Sequence, residues 1–111
     1  MIKVLFVCLG NICRSPMAQI VFENLVKENG IDHLFEIDSA GTEGYNEIIN
    51  ATIHKGTKEV LKRKGIKFKD HYSRKIRKKD YEYYDYIIAM DSENITDIEY
   101  IVGKDKDNKI I

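Results

Sequence analysis

The stretch that most constrains this chain is its first, Ile2-Lys-Val-Leu-Phe-Val7, which is short, β-branched and nearly all apolar. A strand with one wet face alternates polar and apolar residues, whereas a run this uniform is covered on both sides. That is the situation of a strand inside a parallel sheet flanked by helices. Cys8-Leu-Gly-Asn-Ile-Cys-Arg-Ser15 follows at once, rich in turn residues, and then a helical pattern begins. Pro16 suits a first helical position and Ser15 suits a cap. Met17, Ile20, Val21, Leu25 and Val26 recur at helical spacing, and Gly30 after Asn29 is a natural stop.

The same alternation continues. Leu34-Phe-Glu-Ile-Asp38 reads as a second strand, and residues 39–50 as a loop rich in Gly, Asn and Glu. Thr57 to Lys64 reads as a helix with Val60 and Leu61 inward, closed by Gly65. A helical turn from Lys78 to Tyr83 precedes a third buried strand, Asp85-Tyr-Ile-Ile-Ala-Met90. Ser92 is placed to cap a helix reaching about Ile101, with Ile95, Ile98 and Ile101 on one face. After a polar stretch, Lys109-Ile-Ile111 has the character of a fourth strand's beginning. Strands alternating with helices predict an α/β domain on a parallel sheet of about four strands, helices on both faces. With no repeat, low-complexity tract or linker in sight, residues 1–111 are expected to form a single domain.

Composition excludes more than it selects. Eighteen basic residues against eighteen acidic leave no global field toward nucleic acid or a membrane surface. Locally, Lys62, Arg63, Lys64, Lys67, Lys69, Arg74, Lys75, Arg77, Lys78 and Lys79 face Asp70 alone. Such a run is either a solvated face or a basic rim that draws in anionic substrates. No apolar segment approaches the roughly 20 residues that span a bilayer, and none resembles a signal peptide. Two cysteines do not make a secreted disulfide framework, so the expected compartment is the reducing cytoplasm.

The segment Cys8–Ser15 joins the carboxyl end of a buried strand to the start of a helix, where open parallel sheets place ligand sites. Unpaired N–H groups and a partial positive charge at a helix start suit a phosphate. Gly10 permits a positive φ and Asn11 tolerates one, so successive N–H groups can face one concavity. A thiol at the start of such a nest, with a helix terminus and a guanidinium close by, is favoured as the nucleophilic thiolate. Arg14 can hold two phosphoryl oxygens with its planar fork, which a lysine cannot. A metal pair is disfavoured, because no second Cys or His pair stands at a spacing that completes a tetrahedral site. The Gly-Lys-Ser/Thr ending of a nucleotide-binding loop is also missing.

Val4-Leu-Phe-Val-Cys-Leu-Gly-Asn-Ile-Cys-Arg-Ser-Pro-Met-Ala18 resembles the amino-terminal signature of the low-molecular-weight protein tyrosine phosphatases almost residue for residue. Ile37-Asp-Ser-Ala-Gly-Thr42, Asp70-His-Tyr-Ser-Arg74 and Asp85-Tyr-Ile-Ile-Ala-Met-Asp-Ser-Glu-Asn94 extend the resemblance along the chain. It implies a three-layer, flavodoxin-like fold and hydrolysis of phosphotyrosine or small aryl phosphates through a phosphocysteine, without metal or organic cofactor. Inorganic phosphate or a similar oxyanion would inhibit. By resemblance Cys8 is the nucleophile, Arg14 binds the phosphoryl group, and Ser15 assists departure of the thiolate. Residues Cys8, Leu9, Gly10, Asn11, Ile12, Cys13 and Arg14 form the phosphate-binding loop. Asn11 is expected to hold it through Ser39 and His71, and Cys13 to be the redox partner of Cys8. Leu9, Ile12 and Tyr45 match the substrate cleft, and Asp91 a position near its mouth, expected to support the loop.

The family's general acid lies in an Asp-Pro motif beyond the fourth strand, but the single proline here is Pro16. Asp105 and Asp107 precede that strand and do not substitute. The resemblance therefore reads as a carboxyl-terminally incomplete phosphatase domain that lacks the final helix. A non-catalytic phosphotyrosine-binding module is the alternative of another class. Arsenate reductases of this fold use further cysteines downstream, and none follows Cys13. Phosphoarginine phosphatases are nearer, though Ile12 occupies a position where a polar residue would help a guanidinium substrate.

Overall fold

The computed structural model describes residues 1–111. Its centre is β1 (Ile2–Cys8), flanked on either side by parallel partners, β2 (Phe35–Gly41) and β3 (Tyr86–Ala89), in the order β2-β1-β3. The register sets Cys8 opposite Gly41 and Val7 opposite both Ala40 and Ala89, so the carboxyl ends of the strands form one edge. Val4 through Cys8 are all buried, as the uniform apolar run requires. Around the sheet lie α1 (Arg14–Glu28), α2 (Tyr45–Ile48), α3 (Lys55–Arg63), α4 (Lys78–Tyr83) and α5 (Ser92–Val102), with a 3₁₀ turn at Asp32–Leu34.

Alternate residues of β1 serve two layers. Leu5 and Val7, with Ala40 and Ile87 beside them, pack against Ile98 of α5, Tyr81 of α4, Tyr84 and Ile76. On the opposite face Phe6 meets Phe22 of α1, which meets Phe35 of β2, edge to face at centroid distances of 5.8 and 5.3 Å. A second cluster, Ile20, Ile53 and Leu61 with Met17, Ile66 and Phe68 against it, joins α1 to α3. Helices thus cover both faces of the sheet. No helix is long and apolar enough to cross a membrane.

Several boundaries differ from the sequence expectation, each for a local reason. α1 begins at Arg14 with Cys13 in the capping position, and Ser15 is wholly buried inside the first turn. Its hydroxyl is therefore directed at Cys8 and caps nothing. α5 is capped by Asp91, one residue before Ser92, through a reciprocal pair with Asn94. β2 continues to Gly41 because its ladder with β1 runs on to Cys8. α3 starts two residues early, since the His54 ring accepts from Gly56 N and caps it. Val21 and Leu25 share an i, i+4 face of α1 turned away from sheet and α3, and both are about half exposed. Val60 also faces outward; Leu61 alone of that pair is buried. The fourth strand is present only as a parallel bridge between Ile110 and Ile87, with Ile87 N donating to Lys109 O and Ile111 N to Ile87 O.

Candidate active site

The loop from Cys8 to Arg14 leaves the sheet at the common edge of the strands and turns directly into α1. Its shape needs two special positions. Asn11 has φ 55°, in the left-handed region. Gly41, across the ladder from Cys8, lies so close that a Cβ there would sit 2.7 Å from Leu9 O. Other contacts pin the turn. Asn46 Nδ2 and Ser73 Oγ both donate to Gly10 O, at 3.0 and 2.9 Å. Glu43 N donates to Leu9 O, and His54 N to Ile12 O at 2.7 Å.

Beneath the loop is a buried polar network whose direction can be read atom by atom. Arg74 N donates to Asn11 Oδ1 at 3.1 Å, which fixes the orientation of the Asn11 amide. An amide oxygen only accepts, so His71 Nε2, 2.9 Å away, is a donor to it. Asn11 Nδ2 then donates to Ser15 Oγ at 2.8 Å and to Ser39 Oγ at 3.0 Å. Ser39 passes its own proton to Gln19 Oε1 at 2.5 Å. Ser15 accepts from Asn11 and shares a 3.0 Å hydrogen bond with Cys8 Sγ in which either group can donate, with Ala40 O a longer acceptor at 3.4 Å. Asn11 N also donates to the sulfur, at 3.2 Å. Cys8 is buried and free, and its sulfur lies within hydrogen-bond reach of Ser15 Oγ and Asn11 N.

Flanking charges complete the picture. Burial pushes the His71 imidazolium below its ordinary range, while Asp38, 3.9 Å from Nδ1, pulls the other way. Arg74 bonds Asp38 at 3.2 Å and both oxygens of buried Asp80 at 3.1 and 3.2 Å; against the cost of burial, these carboxylates hold it ionised. Arg14 stands at the open side of the loop, half exposed, and its Nη1 donates to Asp91 Oδ2 at 2.7 Å. That bond, with Asn94 N, holds the Asp91 carboxyl below the usual carboxylate range.

The structure brings together Cys8, Asn11, Ser15, Ser39 and His71 in one network, and Arg14 beside it. Leu9, half-buried Ile12 and Tyr45 lie on the rim; Tyr45 is exposed, between Glu43 and Asn46, which both bond the loop. Cys13 is exposed, and Thr57 Oγ1 donates to its sulfur at 3.2 Å. Asp105 is committed elsewhere, to Tyr81 OH and the backbone of Lys109 and Ile110, and Asp107 N also bonds Tyr81. The sequence alone assigns no role to Gln19, Asn46 and Thr57, which carry no local signal, nor to Ser73 and Arg74, although both stand in the Asp70–Arg74 stretch that carries the resemblance. It also gives no sign that Asp91 holds Arg14.

Fold and site together define an α/β protein with a buried free thiol and a hydrogen-bonded loop at its first strand–helix turn. The chain belongs to the low molecular weight phosphotyrosine protein phosphatase family, whose model matches residues 3–111. It is 47% identical over 103 residues to the low molecular weight protein-tyrosine-phosphatase YfkJ of Bacillus subtilis, covering 93% of this chain and 65% of that protein. The crystal structure of YfkJ superposes with a TM-score of 0.92, covering 99% of this chain and 68% of that one. The human low molecular weight phosphotyrosine protein phosphatase is 47% identical over 96 residues, 86% of this chain and 59% of its own. A Drosophila arginine phosphatase crystal structure superposes at TM-score 0.81 and 36% identity, covering 89% of this chain and 60% of that one. The chain spans roughly three-fifths to two-thirds of the length of the curated relatives it matches.

Proposed function

We propose that this chain carries the phosphoryl-binding and nucleophilic part of a cytoplasmic protein tyrosine phosphatase that acts on phosphotyrosine or small aryl phosphate monoesters. The observation that carries the reading is the sulfur of Cys8 receiving Ser15 Oγ and Asn11 N inside the loop. The phosphoryl oxygens sit in the nest of loop N–H groups and against the guanidinium of Arg14. The Cys8 thiolate attacks phosphorus, and the P–S bond forms as the bond to the aryl oxygen breaks. The departing oxygen takes its proton from solvent or a donor acid; Asp91, kept ionised by Arg14, does not supply it. Water then attacks phosphorus, inorganic phosphate leaves, and Ser15 donates to the released thiolate. Leu9, Ile12 and Tyr45 wall the cleft against the phenyl ring. Free phosphate competes for the same cradle.

Cys13 serves as the redox partner in this reading. A peroxide oxidises the Cys8 thiolate to a sulfenic acid, and the Cys13 thiol displaces water from it to leave a disulfide that a thiol reductant reverses. Thr57 holds the Cys13 sulfur while it waits.

A phosphoarginine substrate is the second reading, favoured by the likeness to the Drosophila arginine phosphatase and opposed by apolar Ile12. Single-turnover reaction with an aryl phosphate at mildly acid pH tests the proposal. A phenol burst with a trapped phosphocysteine is expected, and Cys8→Ser abolishes it. A burst only with a phosphoguanidine, or phosphate binding without any burst, would overturn it in favour of the second reading or of a binding module.

A further inference from the structure

The basic run between Lys62 and Lys79 divides in the folded chain. The two arginines of its second half are engaged internally, Arg74 with Asp38 and Asp80 and Arg77 with Glu47 at 2.8 Å, while Lys75, Lys78 and Lys79 make no ion pair. Its first half has no internal pairing at all. Lys62, Arg63, Lys64, Lys67 and Lys69 are exposed and none makes an ion pair; nearby only Lys58 does, with Asp70 at 3.1 Å. Lys55, Lys58 and Lys62 stand at i, i+3 and i+7 of α3, which puts them in one stripe. Beside that stripe runs an open groove of about 700 Å³, where Lys58, Lys62 and Lys67 rim the half-buried side chains of Ile66 and Phe68, with Asp70.

The stripe is bolted to the phosphate-binding loop at one end. His54, immediately before α3, bonds Ile12 O through its backbone N–H, and Thr57 in the first turn bonds Cys13 Sγ. Lys55 therefore stands at the rim of the site. At about 1.5 Å per residue, Lys62 lies roughly 10 Å further along, a span an extended peptide crosses in about three residues.

We propose that this lysine stripe and groove receive an acidic segment of the phosphorylated polypeptide, so that substrates are selected by negative charge a few residues from the phosphotyrosine. The inference rests on the phosphatase reading above. Lysines with free ammonium groups attract carboxylates without demanding one geometry, and Ile66 and Phe68 seat an apolar side chain between the acids. Two features favour a polypeptide over a nucleic acid: the stripe is short, and the chain as a whole has no net charge. Such a contact acts on encounter and binding and leaves the chemistry at Cys8 alone.

The test compares two phosphotyrosine peptides, one with Asp and Glu at three to six residues from the phosphotyrosine, the other with Gln and Ser there. Dissociation constants are read by fluorescence anisotropy on Cys8→Ser protein, and kcat/KM on protein with Cys8 intact. The acidic peptide is expected to bind about tenfold tighter, an advantage that shrinks with added salt. Lys62→Glu and Lys67→Glu together should erase it while turnover of a small aryl phosphate stays unchanged. Equal binding of the two peptides, or an advantage that survives the reversal, would overturn the docking surface and leave the phosphatase reading standing. Competition by a DNA oligonucleotide as effective as the acidic peptide would overturn the choice of a polypeptide. Loss of peptide binding together with absence of any burst would overturn both readings.

Discussion

Asn11 governs the site because each of its polar atoms has one possible partner type. With Oδ1 filled by His71 Nε2 and Arg74 N, both Nδ2 protons go to Ser15 and Ser39. The network therefore holds the Ser15 hydroxyl beside Cys8, where it donates to the sulfur whenever that sulfur is a thiolate, which can only accept. Ser15 is the last link, and its removal should show in the chemistry and not in binding. A hydrogen bond to a charged group is worth about 1.5–3 kcal/mol. Ser15→Ala should therefore lower kcat about 10- to 150-fold with KM little changed. Alkylation of Cys8 by iodoacetate at fixed pH should slow in parallel. A rise in KM with kcat little changed would mean that the hydroxyl acts on substrate placement instead. Ser15→Thr keeps the donor but brings a methyl into a site with no exposed surface, so it tests whether geometry tolerates the rescue.

At the level of elements, the start of α5 and the start of α1 are tied by one carboxylate. Asp91 accepts from Asn94 N with Oδ1 and from Arg14 Nη1 with Oδ2. Its two duties separate by substitution. Asparagine caps helices as well as aspartate, whereas loss of a cap to alanine costs about 1 kcal/mol. Asp91→Asn should keep the denaturation midpoint near that of the wild type, and Asp91→Ala should lower stability by about 1 kcal/mol. Both variants release Arg14, so both should weaken phosphate binding by a similar factor, about two- to tenfold, measured by competitive inhibition. If only the alanine variant lost affinity, Asp91 would act through the helix cap and not through Arg14. This tie also marks where sequence reading ends. β1, the loop and the body of α1 are legible because their signals are local: an apolar run, a turn and a 3.6-residue period. The resemblance carried Ser39 and His71, which lie 28 and 60 residues from Asn11. Nothing local marks Asn46, Ser73 or Gln19, whose partners are set by how strands and loops come to lie together. α2 has the sequence character of a loop for a related reason: at four residues it is too short to show a period.

For the whole molecule, the equal numbers of acids and bases conceal a concentrated interior charge. Arg74 joins Asp38 of β2 to Asp80 of α4, and the buried Tyr84 ring sits in the same surroundings, so the sheet, the loop support and α4 share one electrostatic unit. Burial, reinforced by the Asp38 carboxylate, pushes the Tyr84 phenol up to about 12. A tyrosine in the unfolded chain ionises near 10. Between those values the unfolded chain has released a proton that the folded chain still holds. Stability from this group is thus complete below about 10 and is lost as pH rises toward about 12. Tyr81 and Tyr83 are displaced in the same direction, so the decline is shared. Urea unfolding at a series of alkaline pH values should show the wild type losing stability across that window. Tyr84→Phe should lose about 1–2 kcal/mol less over the same range, below what the whole displacement would give because solvent screens part of the site. The chain has seven tyrosines and no tryptophan, so tyrosinate absorbance follows the titration directly. In folded wild-type protein the last phenol to ionise should do so together with unfolding, and in Tyr84→Phe that coupled step should diminish. Parallel stability curves for the two proteins would place the alkaline limit elsewhere, in the lysines rather than in the Arg74 unit.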